Sequence, residues 1–235
     1  MFFTLWRSAL HRRNWLFAVG VLILMDIAAV GSSGNAAFWI ATIGTPDYGV
    51  YGFSFIWIVV NAVFNWIAID WLWHTWSIWS VHWRLKGWST QRSWRVLWRF
   101  ALSSSTALVL FNLVVCALVS LLVRRSLGTG DWTHMVPMAA LWVLGINAMS
   151  WLSFLLGVFF RNPYVGYVAA SAVVLFSGYG FPHILWSPGA QWMYGAHQAA
   201  GSPSYLDSFV YLALLNAALG AGAMAKAQRY RDPSP

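Results

Sequence analysis

Asp70, His74 and His82 follow one another at intervals of four and eight residues, spacings that return to one side of a helix. A carboxylate with two imidazoles is a ligand set for a divalent metal ion. Asp26 and Asp70 fall within or at the edge of apolar runs. A lone charge in hydrocarbon is costly there, so such a group faces a polar cavity or a partner. Together with Asn61 and Asn65 they outline a polar path that a transport route or a proton relay would use. The plainer reading makes Asp26 a cap on the outer part of its helix and pairs Asp70 with Arg84 or a helix end at the headgroups. In that reading the histidines are hydrogen-bonded surface groups among tryptophans. With no further carboxylates nearby and no second cluster, neither a metal site nor a catalytic residue is expected, and no cofactor in this chain.

Composition narrows the chemistry further. Of 235 residues 60% are hydrophobic and 9% charged, and the mean hydropathy is +0.61. One soluble core cannot hide that much apolar surface, so the fold class is an all-α polytopic membrane protein. The net charge of +8 comes from 14 Lys and Arg against 6 acids. Every acid is an aspartate (Asp26, Asp47, Asp70, Asp131, Asp207, Asp232), and the missing glutamate removes H-E-x-x-H zinc sites, Glu-bridged di-iron sites and Glu-dependent membrane proteases. The single cysteine, Cys116, lies in an apolar run and leaves no intrachain disulfide or multi-cysteine site, so it reads as a small core side chain.

The chain's charge is concentrated in the connector His74 to Arg99, HTWSIWSVHWRLKGWSTQRSWRVLWR, with Arg84, Lys86, Arg92, Arg95 and Arg99 and no acid. Trp76, Trp79, Trp83, Trp88, Trp94 and Trp98 interleave with them. Indole rings favour the headgroup layer, because their body is apolar while the N–H wants a partner, so this segment is expected to lie along a membrane surface. Nucleic-acid binders also mix basic and aromatic residues. Here both flanks are long enough to cross a bilayer, so the expected partner is lipid and not nucleic acid.

The elements that would position these residues are six spans in one transmembrane domain. Residues 1–14 have an interfacial-helix pattern, with Phe2, Leu5, Trp6 and Ala9 on one face and Arg7, His11 and Arg12 off it. Trp15 to Val30 is the first span, read as retained because no small-residue cleavage site precedes Asp26. An external loop over 31–50 follows. Spans two to five are Tyr51 to Trp73, Phe100 to Val123, Val136 to Phe160, and Tyr164 to about Gly180, the last two joined by a tight Arg161-Asn162-Pro163 hinge. Residues 181–204, dense in Pro, Gly and aromatics, are expected to form short broken helices that dip into the interface from outside. Tyr205 to Ala225 is the sixth span. With both termini cytoplasmic, Arg7, Arg12, Arg13, the five connector cations, Arg161, Lys226, Arg229 and Arg231 lie inside and only Arg124 and Arg125 outside, a strong positive-inside bias.

Two resemblances add to this reading. Gly31-Ser32-Ser33-Gly34 resembles the G-x-S-G of rhomboid proteases and Ala196-His197 their A-H-x-x-G. Here, however, the serine motif follows the first span, and the glycine stands at Gly201, one residue beyond that spacing; as local structure these glycines are turns. Ser171 to Pro182, SAVVLFSGYGFP, resembles the C-terminal third of ABC type 2 permeases, where an apolar run leads to F/L-S-G, an aromatic or aliphatic pair and a proline. Phe176, Ser177, Gly178 and Pro182 fill those places, and Gly180 departs where the family has a bulky residue. The order of parts is also similar along the whole chain, although the acid often found early in the connector is absent.

That resemblance implies a permease subunit of an ATP-driven exporter in the inner or plasma membrane. It would move an amphipathic, peptide or lipid-linked substrate outward and pair with a second permease subunit, the same or different. ATP and Mg would be bound by a separate ABC ATPase subunit, and this chain indeed has no G-x-x-x-x-G-K-[ST]. Carried over by position, Ser80 to Arg95, with Arg84, Lys86, Trp88, Arg92 and Arg95, would be the contact coupling it to that ATPase. The alternatives of other classes are an intramembrane metal-dependent enzyme using Asp70, His74 and His82, and a non-catalytic membrane scaffold.

Overall fold

The computed structural model describes residues 2–10, 14–40, 51–130, 132–179, 188–192, 197, 201 and 203–231. Its regular elements are helices: α1 Phe2–Leu10, α2 Asn14–Ser32, α3 Tyr51–Leu85, α4 Thr90–Arg124, α5 Met135–Phe160, α6 Pro163–Tyr179 and α7 Tyr205–Arg231, with short 3₁₀ turns at Trp132–His134 and Pro188–Trp192. Five of them, α2, α3, α4, α5 and α7, are long and apolar enough to cross a membrane. Helix α6 has 17 residues, or about 26 Å, somewhat less than a hydrocarbon core of about 30 Å.

Helix α5 is the axis of the bundle. It is apolar on nearly every side, which is the pattern of a helix enclosed by others, and α3, α4, α6 and α7 all pack on it. Close approach to α6 depends on Gly166: a β-carbon there would lie 2.3 Å from the Gly157 nitrogen and the Ser153 carbonyl oxygen. The α5–α6 turn is as tight as its sequence predicts. Arg161 adopts φ 56°, the Asn162 side-chain oxygen accepts from the Tyr164 amide at 2.9 Å, and Pro163 opens α6, where its missing N–H costs nothing.

The amphipathic pattern of α1 is realised as packing. Leu5 and Ala9 are fully buried while Arg7 is exposed, and Trp6 meets Trp71 and Phe100 with ring centroids 5.5 and 5.6 Å away. At the opposite end of the bundle the loop after α2 zips to the turn after α4. The Phe38 amide donates to the Leu127 carbonyl and the Thr129 amide to the Asn35 carbonyl.

The connector differs from its sequence-based expectation. It does not form a separate element lying flat: α3 and α4 run through it as two unbroken helices of 35 residues each, leaving only Lys86 to Ser89 as a turn. The segment contains no proline and a single glycine, Gly87, so nothing stops either helix earlier. Trp76, Trp83 and Trp94 are buried rather than spread along a headgroup layer. Trp76 and Trp94 both pack on Phe154 of α5, so tertiary burial of the indoles holds the helices together past the expected membrane boundary.

Most of 181–204, including Pro182, lies outside the described residues, as do Arg12, Arg13, Asp47 and Asp131. Phe176, Ser177 and Gly178 belong to the last turns of α6. The described piece, Pro188–Trp192, packs against α5, α6 and α7.

Candidate functional site

The α3–α4 turn is held by a set of hydrogen bonds and ring contacts. Gly87 takes φ +67°. Around it the Trp88 amide donates to the Trp83 carbonyl and the Gly87 amide to the Arg84 carbonyl, both at 2.9 Å, the paired bonds that close a helix C-terminus through a left-handed residue. The apolar contact that accompanies such an ending is a stack of Trp83 on Trp88, with centroids 6.0 Å apart. Ser89 then caps α4, accepting from the Arg92 amide at 3.3 Å. The Arg92 guanidinium carbon lies 4.2 Å from the centre of the Trp88 ring, a cation–π contact.

Arg84, Lys86, Arg92, Arg95 and Arg99 are all exposed on this hairpin. Helix direction places Arg7, Arg161 and Lys226, also exposed, at the same end of the bundle. Arg124 and Arg125 lie at the other end with Asp207, which closes the N-terminus of α7 through Ser204. Eight of these ten cations therefore lie at one end of the bundle and two at the other.

Of the four polar residues expected to outline a path, Asn61 and Asn65 are hydrogen-bonded within the bundle. Asn61 is fully buried; its side-chain oxygen accepts from the indoles of Trp142 at 2.9 Å and Trp192 at 3.2 Å. Asn65, equally buried, donates to Ser153 and Ser171 at 2.9 Å each and so ties α3 to α5 and α6. Asp70 is half-buried and borders a small cleft with Trp15, Trp66, Ile67 and Trp71. Asp26 is fully buried on α2, beside Asn112 and Cys116 of α4.

The metal set does not assemble. Asp70 and His82 are twelve residues apart on one helix, about 18 Å along its axis. His74 meets Ser8 at 3.2 Å and the exposed His82 ring packs edge-on against Trp79. No group of three potential ligands forms among the described residues. Nor does the serine motif meet a histidine: Ser33 accepts a hydrogen bond from Arg124, while the His197 ring nitrogens lie 3.1 and 3.0 Å from the carbonyls of Pro203 and Gln191. Gly34 is a turn residue with φ +57°.

Sequence reasoning missed three features. Arg124, counted only as an outside charge, donates to the Val30 carbonyl at 2.9 Å and to Ala36 at 2.8 Å. It thereby serves the Val30 carbonyl at the C-terminus of α2, where a cation is favoured, and ties the loop to it through Ala36. Trp192 is buried against Gly145, where a β-carbon would come within 2.3 Å of the indole, and stacks on Trp57. Asn147 donates to Asn216 at 2.7 Å and links α5 to α7. An asparagine within each apolar span was the visible signal for the last; nothing local marks the other two.

No family model, curated protein or solved structure matches the chain.

Proposed function

We propose that this protein is the membrane permease subunit of an ATP-driven exporter, and that the α3–α4 hairpin is the surface on which a separate ATPase acts. The observation that carries this reading is the hairpin's length and charge. Each arm has 35 residues, about 52 Å, against a hydrocarbon core of about 30 Å. The arms therefore outreach the hydrocarbon core, and their basic tip is exposed and closed by the hydrogen bonds of the Gly87 turn. A tip held in this way can transmit a push to the spans it continues, which a loop cannot.

The remaining parts support the same assignment. In this reading α6 is the fifth of six spans, residues 181–204 re-enter the bundle from outside with Trp192 as their anchor, and both termini are cytoplasmic. The excess of cations at the hairpin end supports a cytoplasmic location for it, in the inner or plasma membrane, under the positive-inside rule. Two copies, or this chain and a similar one, enclose the substrate path, and the cargo is amphipathic, peptide or lipid-linked.

The test is affinity purification of the full chain from its native membranes in mild detergent, followed by identification of co-purifying proteins. Recovery of a protein carrying a nucleotide-binding G-x-x-x-x-G-K-[ST] motif, in stoichiometric amount and with ATPase activity, is the expected outcome. Recovery of stoichiometric partners that lack any nucleotide site would favour a membrane scaffold.

A further inference from the structure

We infer that Asp26 is a proton-binding site, occupied in the folded protein, whose bound proton joins α2 to α4. The inference is independent of the transport reading. Asp26 is fully buried on an apolar helix and its neighbour Asn112 is fully buried on α4. Three oxygens there, both of the Asp26 carboxyl and the side-chain oxygen of Asn112, have no hydrogen-bond donor among the described residues. Asn112 and Cys116 are the side chains whose polar atoms act on the carboxyl, yet neither reaches it with the geometry of a formed bond. The Asn112 amide is turned instead to the Cys116 sulfur, 3.6 Å away.

Three buried oxygens that no neighbouring donor meets call for a proton or a cation. A proton meets the need with no new atoms. It converts one Asp26 oxygen into an O–H that donates to the Asn112 oxygen, removes the charge from the apolar interior, and leaves the Asn112 amide on Cys116. A metal cation fits less well, because hard cations take more oxygens than the three available here.

Among the described residues no other charge reaches the site to take the proton's place. On α3, which also packs on α2, the nearest acid is Asp70, at the level of Trp15 and so eleven residues, about 16 Å, down α2 from Asp26. Arg124 lies toward the other end and is committed to the Val30 and Ala36 carbonyls and to Ser33. Loss of the proton would leave a carboxylate without a partner between two spans, which admits water or separates α2 from α4.

The experiment is infrared difference spectroscopy on the full chain in lipid nanodiscs at neutral pH, wild type minus Asp26→Asn. The expected result is a protonated-carboxyl C=O stretch in the wild type that the variant lacks. Asn keeps a neutral donor at that position, so the Tm of Asp26→Asn should stay within about 3 °C of wild type, whereas Asp26→Ala, which removes the bridge, should fall further. The inference is overturned if the spectrum shows only an ionised carboxylate, or no carboxyl band. A carboxylate band that shifts when sodium is exchanged for choline would assign the site to an alkali cation instead. A clear loss of Tm in Asp26→Asn would likewise mean that the charged form is the stabilising one.

Discussion

Trp83 and Trp88 lie face to face across the reversal between the two longest helices, their ring planes 3° apart, and Arg92 covers the Trp88 ring. The stack is possible because Gly87 lets the chain turn back within the four residues Lys86 to Ser89. At φ +67°, with no atom within 4 Å of where its β-carbon would be, Gly87 is required for its backbone and not for space. Replacing it with Val should cost about 1–2 kcal/mol of conformational strain, while Asn, which tolerates the left-handed region, should cost much less. Thermal denaturation of the two variants checks this; equal losses would show that the turn is not held in this conformation.

The α5–α6 contact makes the opposite use of glycine. At Gly166 a β-carbon would meet backbone atoms of Gly157 and Ser153 that cannot rotate away, whereas at Gly222 the nearest atom is a Leu155 methyl at 3.7 Å. Gly166→Ala should therefore destabilise by about 1–3 kcal/mol, the range for overpacking, and Gly222→Ala should be near neutral. If Gly166→Ala is as stable as wild type, the two helices are not in contact at this point.

Five apolar spans and the α5–α6 hinge were legible because each rests on local signals: hydropathy over 18 or more residues, a proline at a helix start, an asparagine able to cap. The connector was misread as a surface element because its tryptophans were weighed only for their affinity to headgroups. Trp76 and Trp94 show the missing term: an indole can equally be buried by another helix, and whether Phe154 stands opposite cannot be read from sequence. Asp70 and His82 were placed on one face by spacing, but rise along the axis separates them. Arg124 was invisible as a helix cap because its carbonyl partners, Val30 and Ala36, lie 94 and 88 positions away in the chain.

Asn65 joins three helices through Ser153 and Ser171. Asn65→Val would leave two buried hydroxyls with one partner fewer, at about 1–3 kcal/mol. Adding Ser153→Ala and Ser171→Ala to it should cost less than the separate losses summed, because the partners no longer need satisfying. Strictly additive losses, measured by denaturation of the single and combined variants, would mean that the three side chains do not act as a network.

Arg124→Lys tests the cap on α2. Lysine keeps the charge but loses the planar fork that serves Val30, Ala36 and Ser33 together. The variant should open the pairing between residues 35–38 and 127–129, and amide hydrogen exchange at Phe38 and Thr129 should rise several-fold while that of α5 is unchanged. Unchanged protection at both amides would show that charge alone suffices.

The hairpin's role rests on its tip. Reversing Arg84, Lys86 and Arg92 to Glu together alters exposed charges, so the fold and the α3–α4 helices should persist, each exposed ion pair being worth under about 1 kcal/mol to stability. If the tip couples to an ATPase, recovery of that ATPase in a pull-down should fall sharply, and wild-type recovery should itself weaken as salt is raised, because the contact is between screened surface charges. If the basic end meets only anionic lipid, the same variant should keep its ATPase and instead disturb insertion or orientation, at about 1 kcal/mol per charge. A pull-down and a cysteine-labelling topology assay on this one triple variant separate the outcomes. Intact ATPase recovery with altered orientation would make the hairpin an anchor and remove the main support for the transport reading.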